Sequence, residues 1–104
     1  MTTYKLANQL PDREKYGLRS QVTRSAVSIP SNIAEGQGRN TTRDFLHFLS
    51  IAQGSLMEVE TQITIAERLG YLEKKRESNL LELSAEIGRL LNGLCNSLHK
   101  KLNT

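Results

Sequence analysis

Cysteine, histidine and aromatic residues are scarce in this 104-residue sequence, and each shortage excludes a class of protein. The single cysteine, Cys95, cannot form an internal disulfide, and two separated histidines argue against a structural zinc site. No stretch approaches the ~20 apolar residues that span a bilayer, and the first residues contain no apolar region of signal-peptide length. We therefore expect a cytoplasmic protein without membrane contact.

Recognisable catalytic groupings are also missing from the sequence. His47 and Asp44 form only a weak pair at helical spacing, and His99 has no acidic partner in a metal motif. The glycine-rich stretch 36–39 lacks the lysine–hydroxyl pair of a phosphate-binding P-loop, and no strand precedes it. We expect a non-enzymatic protein with no metal and no cofactor.

What the sequence does contain is apolar residues at spacings of three and four, which predict helices throughout. Residues 2–9 resemble the end of a helix, and further helices are predicted over about 12–37, from the caps at 40–42 to Leu69-Gly70, and over about 73–101. Gly36 and Gly38 are expected to close the second helix in the left-handed conformation, and Gly70 the third. The prediction is a single all-α domain over 1–104, an antiparallel up-down four-helix bundle with a shortened first helix.

Two apolar stripes define the expected core. The seam of the third helix consists of Phe45, Leu49, Ala52, Leu56, Val59, Ile63 and Ala66. The stripe of the fourth helix consists of Leu80, Leu83, Ile87, Leu90, Leu91, Leu94 and Leu98. Ile51, Ile65 and Leu69 lie off the seam, which indicates a further partner for the third helix, such as another copy of the chain.

Pro30 interrupts the second predicted helix, although the apolar spacing continues across it. Proline lacks an amide donor and its ring clashes with the preceding turn. The apolar pattern nevertheless runs through Leu18, Val22, Ala26, Ile29 and Ile33. Two alternatives remain, one helix bent near Pro30 or two short helices. The segment is either a structural kink or a functional feature.

The net charge of +3 lies entirely in the first part of the chain. Residues 1–44 hold seven basic and four acidic residues, whereas residues 45–104 hold seven of each. Arginine dominates the first group and favours bidentate contacts with phosphate or carboxylate. The alternative is an ordinary solvated helix face with salt bridges. The candidate phosphate-binding residues are Arg13, Lys15, Arg19, Arg24, Arg39 and Arg43.

Several motifs resemble those of a known family. They include Tyr16-Gly17-Leu18, the segment 28–36 followed by Gly38-Arg39, and stretches at 45–55, 58–62 and 69–72. Over about residues 4–100 the chain resembles the four-helix-bundle proteins encoded in intervening sequences of bacterial 23S ribosomal RNA genes. The signature positions are Ser28, Pro30, Asn32, Glu35 and Gly36. Family members begin with a longer first helix than Tyr4–Leu10 provides here.

The resemblance implies more than a fold. The family is similar to the accessory proteins of diversity-generating retroelements, which are basic pentameric barrels that bind nucleic acid and partner with a reverse transcriptase. It therefore implies a homopentamer, RNA or DNA as ligand, and a reverse transcriptase or another protein as partner. The leading hypothesis is an oligomeric bundle that contacts phosphates without reading sequence. The alternative is a protein-interaction scaffold that does not bind nucleic acid.

Overall fold

The computed structural model describes the backbone of residues 12–102 and the side chains of residues 14–102. This part of the chain forms three helices, α1 (Asp12–Gln37), α2 (Thr42–Arg68) and α3 (Lys74–Leu102), and contains no strand. The helix predicted over 2–9 lies outside the described residues. The all-α prediction is confirmed, and the bounds of the three helices lie within one residue or so of those expected. Among these helices, none combines the length and the apolar character needed to cross a membrane.

Both ends of α2 are capped by local hydrogen bonds. The Thr41 hydroxyl accepts a hydrogen bond from the Asp44 amide at 3.1 Å, as expected of an N-cap threonine. At the other end Gly70 has a φ of 82°, and the Gly70 and Tyr71 amides donate back to Glu67 and Ala66. This is the Schellman arrangement, which glycine adopts without steric cost. The predicted role of Gly70 is confirmed.

The predicted roles of Gly36 and Gly38 as left-handed caps are wrong. Among the described glycines, only Gly70 has a positive φ. Gly36 lies inside α1 and is buried, where a Cβ atom would stand 2.8 Å from Cδ1 of Phe45 and 3.0 Å from Cβ of Phe48. Its function is to permit close approach between α1 and the start of α2.

The helix α2 lies between α1 and α3 and runs antiparallel to both. Between α1 and α2, Ser28 is hydrogen-bonded to Ser55 and Ser25 to Glu58. Residue numbers therefore decrease along α1 as they increase along α2. Gln53 donates to Asn92 across the α2–α3 interface at 2.8 Å. In the described part, no Cα atom of α1 comes within 8 Å of one in α3. The arrangement is therefore up-down-up, with α2 as the shared neighbour.

The core follows the predicted seam of α2. Leu49 and Ala52 are fully buried, and Leu56, Ile29 of α1 and Leu91 of α3 complete the buried cluster. Leu83 and Leu90, predicted to lie in the core stripe of α3, are instead 54% and 69% exposed. Because α3 packs on one neighbouring helix, only a narrow stripe of it is covered.

The outer face of α2 stays uncovered, as its off-seam residues indicated. Ile51, Ile65 and Leu69 are each about 40% exposed. The Cα radius of gyration is 16.9 Å, compared with about 13 Å for a compact domain of 100 residues. The protein therefore presents apolar surface on an elongated shape.

Helix α1 passes through Pro30 without interruption, so the alternative of two short helices is wrong. The turn around Pro30 is tied down by polar contacts. The Asn32 side-chain amide donates to the Ser28 carbonyl at 2.7 Å and to the Ser28 hydroxyl at 2.9 Å. The Ser55 hydroxyl of α2 donates to the same Ser28 hydroxyl at 2.8 Å. This network connects the segment around Pro30 to α2.

Candidate nucleic-acid interface

The basic residues predicted to bind phosphate are distributed over several parts of the fold. Lys15 and Arg19 lie one turn apart on one flank of α1. Arg24 follows Lys15 by nine residues, which places it about 180° around the helix. Arg39 lies beyond the end of α1 at Gln37, and that end is about 27 Å along the helix axis from Arg19. The side chain of Arg13 lies outside the described residues.

Lys15 is engaged with an aromatic ring near an apolar cavity. Its Nζ atom lies 5.6 Å from the centroid of the Tyr71 ring, within the range of a cation–π contact. The adjacent cavity of about 350 Å³ is lined mainly by apolar side chains, including Leu18, Ile63 and Leu80. Burial, followed by the negative charge of Glu14, raises the pKa of Tyr71 above its ordinary value. These surroundings suit an apolar group better than a phosphate chain.

Arg24 borders a polar cleft between α1 and α2. The cleft is also lined by Ser25, Ser28, Ser55 and Glu58. The buried Ser25 hydroxyl donates to the Glu58 carboxylate at 3.2 Å. The negative charge of Glu58 opposes that of Arg24, so the cleft does not concentrate positive charge.

Arg39 is held by an ion pair and by an aromatic ring. Its Nη2 atom donates to Glu35 Oε1 at 2.7 Å, and its guanidinium carbon lies 4.8 Å from the centroid of the Phe48 ring. The Arg39 side chain remains 45% exposed. Two of its interactions are therefore made within the protein, while part of its surface faces solvent.

Arg43 is exposed in the first turn of α2. The free amides of that helix terminus are partly satisfied already, because the Thr41 hydroxyl accepts a hydrogen bond from the Asp44 amide. The Asp44 carboxylate also places a negative charge in the same turn. The amides alone therefore offer a limited site for an anion. The Arg43 side chain is the group best placed to attract one.

The structure adds basic residues that sequence reasoning missed. The Gln53–Asn92 hydrogen bond fixes the antiparallel register of α2 and α3, so Arg43 lies roughly level with residue 102. The end of α3 therefore reaches the part of the bundle where α1 ends and α2 begins. We define the basic end as Arg39, Arg43, Lys100 and Lys101, accompanied by two carboxylates, Glu35 and Asp44. Exposed His47 and His99 lie at the same end.

The middle of the bundle has the opposite charge balance. Glu58 and Glu60 on α2, with Glu82 and Glu86 on α3, outnumber Arg24 and Arg89 there. Glu82, Glu86 and Arg89 line a common shallow depression on α3. A polyanion is therefore disfavoured at the middle of the bundle.

The described residues contain no group of three or more histidine, cysteine or acidic side chains that could hold a metal ion. Cys95 is half-buried against the core, and burial raises the pKa of its thiol. A thiol with a raised pKa carries less of the reactive thiolate at neutral pH. Cys95 therefore behaves as a small apolar core residue.

Comparison with protein families gives a match over most of the chain. The family model described as 23S rRNA-intervening sequence protein matches residues 1–93. No curated protein matches the chain.

Proposed function

The chain belongs to the 23S rRNA-intervening sequence protein family, and from that premise we propose a non-catalytic helical protein that assembles with copies of itself and binds nucleic acid. The observation that carries the proposal is the basic end, where two segments distant in sequence, 39–43 and 100–101, place four basic side chains at the same end of the bundle. Contacts from such side chains reach phosphate oxygens, which every nucleic-acid sequence presents. Binding is therefore expected to depend on salt and to discriminate little between sequences.

Assembly strengthens this proposal because the charge of one chain is modest. Four basic side chains are opposed by two carboxylates at each basic end, a mild attraction for a polyanion. In a symmetric ring the same end would be repeated around one axis, and the repeated contacts would raise the avidity. A homopentamer is the assembly implied by the resemblance.

The outer face of α2 supports assembly. Ile65 and the C-cap residue Leu69 are each about 40% exposed, whereas Ile51, equally exposed, lines the cleft between α1 and α2. Gly54 lies on the same side of α2 as Ile65, and a Cβ atom added there would meet nothing within 4 Å. An apolar face with open space beside it favours burial against another chain.

Replacing Ile65 with glutamate is expected to weaken assembly. The parent protein should scatter light at micromolar concentration as a homo-oligomer, with five times the chain mass of 11.7 kDa. Ile65→Glu places a charge where apolar surface would be buried, so the measured mass should fall toward that of one chain. Ser78→Glu adds the same charge on the exposed surface of α3 and should leave the mass unchanged. A parent protein that is monomeric throughout this range would contradict the assembly proposal.

Neutralising the basic end is expected to weaken nucleic-acid binding for all sequences alike. In the double variant Arg43→Gln/Lys100→Gln, removing each phosphate-binding charge should reduce the slope of log affinity against log salt by about 0.7 to 0.9. Both side chains are exposed, so the thermal midpoint should change little. Arg89→Gln removes one positive charge from the acidic middle of the bundle and should alter neither affinity nor slope. Fluorescence anisotropy with labelled RNA across a salt series measures both quantities.

The interaction-scaffold alternative has its own supporting observations. Lys15 contacts Tyr71, and Arg39 is paired with Glu35, so two of the predicted basic residues already have partners within the chain. If the double variant binds RNA with the affinity and slope of the parent, the basic end is not the contact surface. If the parent does not bind at low salt either, the scaffold function is favoured.

A further inference from the structure

Arg39 is held by an ion pair and by a cation–π contact. The Glu35 carboxylate holds Nη2 at 2.7 Å, while the Phe48 ring lies 4.8 Å from the guanidinium carbon. The Arg39 side chain remains 45% exposed. A guanidinium group held on a ring is therefore partly accessible to solvent at the basic end.

The support beneath Arg39 is closely packed. Gly36 has no side chain, and this allows Phe45 and Phe48 to approach the backbone of α1 so closely that an added Cβ would stand 2.8 Å and 3.0 Å from them. Glu35 and Gly36 belong to the last turns of α1, whereas Phe48 belongs to the second turn of α2. We call Arg39 with its contacts Glu35 and Phe48 the platform. It is held between two helices and therefore loses little conformational freedom when a ligand binds.

Arg39 differs from Arg43 in what it can offer a ligand. The Glu35 carboxylate offsets the charge of Arg39, which weakens its attraction for a phosphate. The planar face remains, and guanidinium planes and aromatic rings are the surfaces on which unpaired bases stack. Bases in an intact duplex are stacked on one another and do not present a free face.

We propose that the outer face of Arg39 stacks against an unpaired base, forming a base–Arg39–Phe48 stack while Arg43 and Lys100 contact neighbouring phosphates. This inference rests on the proposed function and specifies its ligand as single-stranded nucleic acid. One stacked base adds roughly 5- to 150-fold in affinity over phosphate contacts alone. The protein should therefore prefer a single strand to a duplex of the same length by a factor in this range.

The test measures the affinity of the unmodified protein for three labelled RNA probes at one low salt concentration. The probes are a single strand, its perfectly paired duplex, and an abasic strand of the same length that keeps every sugar and phosphate but has no bases. The single strand should bind most tightly, and removing the bases should abolish its advantage. Equal affinity for the normal and abasic strands would overturn the stacking proposal, whether or not any variant can be made.

The variant Arg39→Lys distinguishes the contribution of the planar guanidinium group to binding from that of its positive charge. Lysine keeps the positive charge but has no plane, so affinity for the single strand should fall further than affinity for the duplex, and the preference for the single strand should disappear. Phe48→Leu keeps an apolar side chain and removes the ring, and it should reduce the preference in the same way. Arg43→Gln is the matched control, because it should weaken binding to strand and duplex equally.

The outcomes separate the two proposals. If neither the strand nor the duplex binds at low salt, the proposed function fails. If both bind equally, or if Arg39→Lys retains the full preference, the nucleic-acid function stands and the stacking proposal is wrong. Binding of an acidic peptide with higher affinity than RNA would instead assign the platform to a protein partner.

Discussion

Truncating Leu49 to alanine is expected to lower the free energy of unfolding by about 2–5 kcal/mol. Leu49 is completely buried, and its neighbours in the core cluster include Ile29 from α1 and Leu91 from α3. Since no Cα atom of α1 comes within 8 Å of one in α3 in the described part, the side chains of α2 are the main connection between them. The truncation leaves a cavity at that junction. Chemical denaturation monitored by circular dichroism measures the decrease.

Leu90→Ala is the matched control for this prediction. It removes the same atoms from a leucine that is 69% exposed on α3, and its effect should stay within about 0.5 kcal/mol. Similar decreases in the free energy of unfolding at both positions would contradict the burial of Leu49 and the exposure of Leu90. A large decrease at Leu90 alone would place the core on the other side of α3.

Gly36→Ala is expected to destabilise the protein by about 1–3 kcal/mol, although alanine is the better helix former. The added methyl group would stand 2.8 Å from Cδ1 of Phe45 and 3.3 Å from the Phe45 carbonyl oxygen. Relieving such contacts requires α1 and α2 to move apart or Phe45 to change its conformation. The thermal midpoint should therefore fall.

Gly93→Ala is expected to stabilise the protein, in contrast to Gly36→Ala. Gly93 lies within α3, and a Cβ atom there meets nothing within 4 Å. Replacing this glycine by alanine should stabilise the helix by about 0.5–1 kcal/mol, since only the helix propensity changes. A midpoint that rises in both variants would show that the α1–α2 contact is looser than the structure describes.

Local sequence signals predicted the helices well because helix ends depend on nearby residues. Thr41 and Gly70 cap α2 through hydrogen bonds that span only a few residues, so their roles could be predicted from the sequence. Which apolar residues become buried depends on distant neighbours. Leu83 and Leu90 fit the helical spacing of a core stripe, but no described helix covers that side of α3.

The charge pattern was harder to interpret from the sequence for the same reason. Counting charges along the chain separated residues 1–44 from a balanced remainder and therefore passed over Lys100 and Lys101. The antiparallel register of α2 and α3 brings these lysines to the end that carries Arg39 and Arg43. The position of these lysines could have been inferred from the predicted up-down topology. The contacts of Arg39 with Glu35 and Phe48 could be seen only in the structure.

Binding of nucleic acid through phosphates is tested most directly by the affinity of the parent protein for single-stranded RNA across a salt series. Two phosphate contacts by Arg43 and Lys100 predict that log affinity falls linearly with log salt, with a slope of about −1.4 or steeper. Repetition of the basic end in an assembly would make the slope steeper still. Absence of binding at low salt, or an affinity that does not change with salt, would contradict the proposed function.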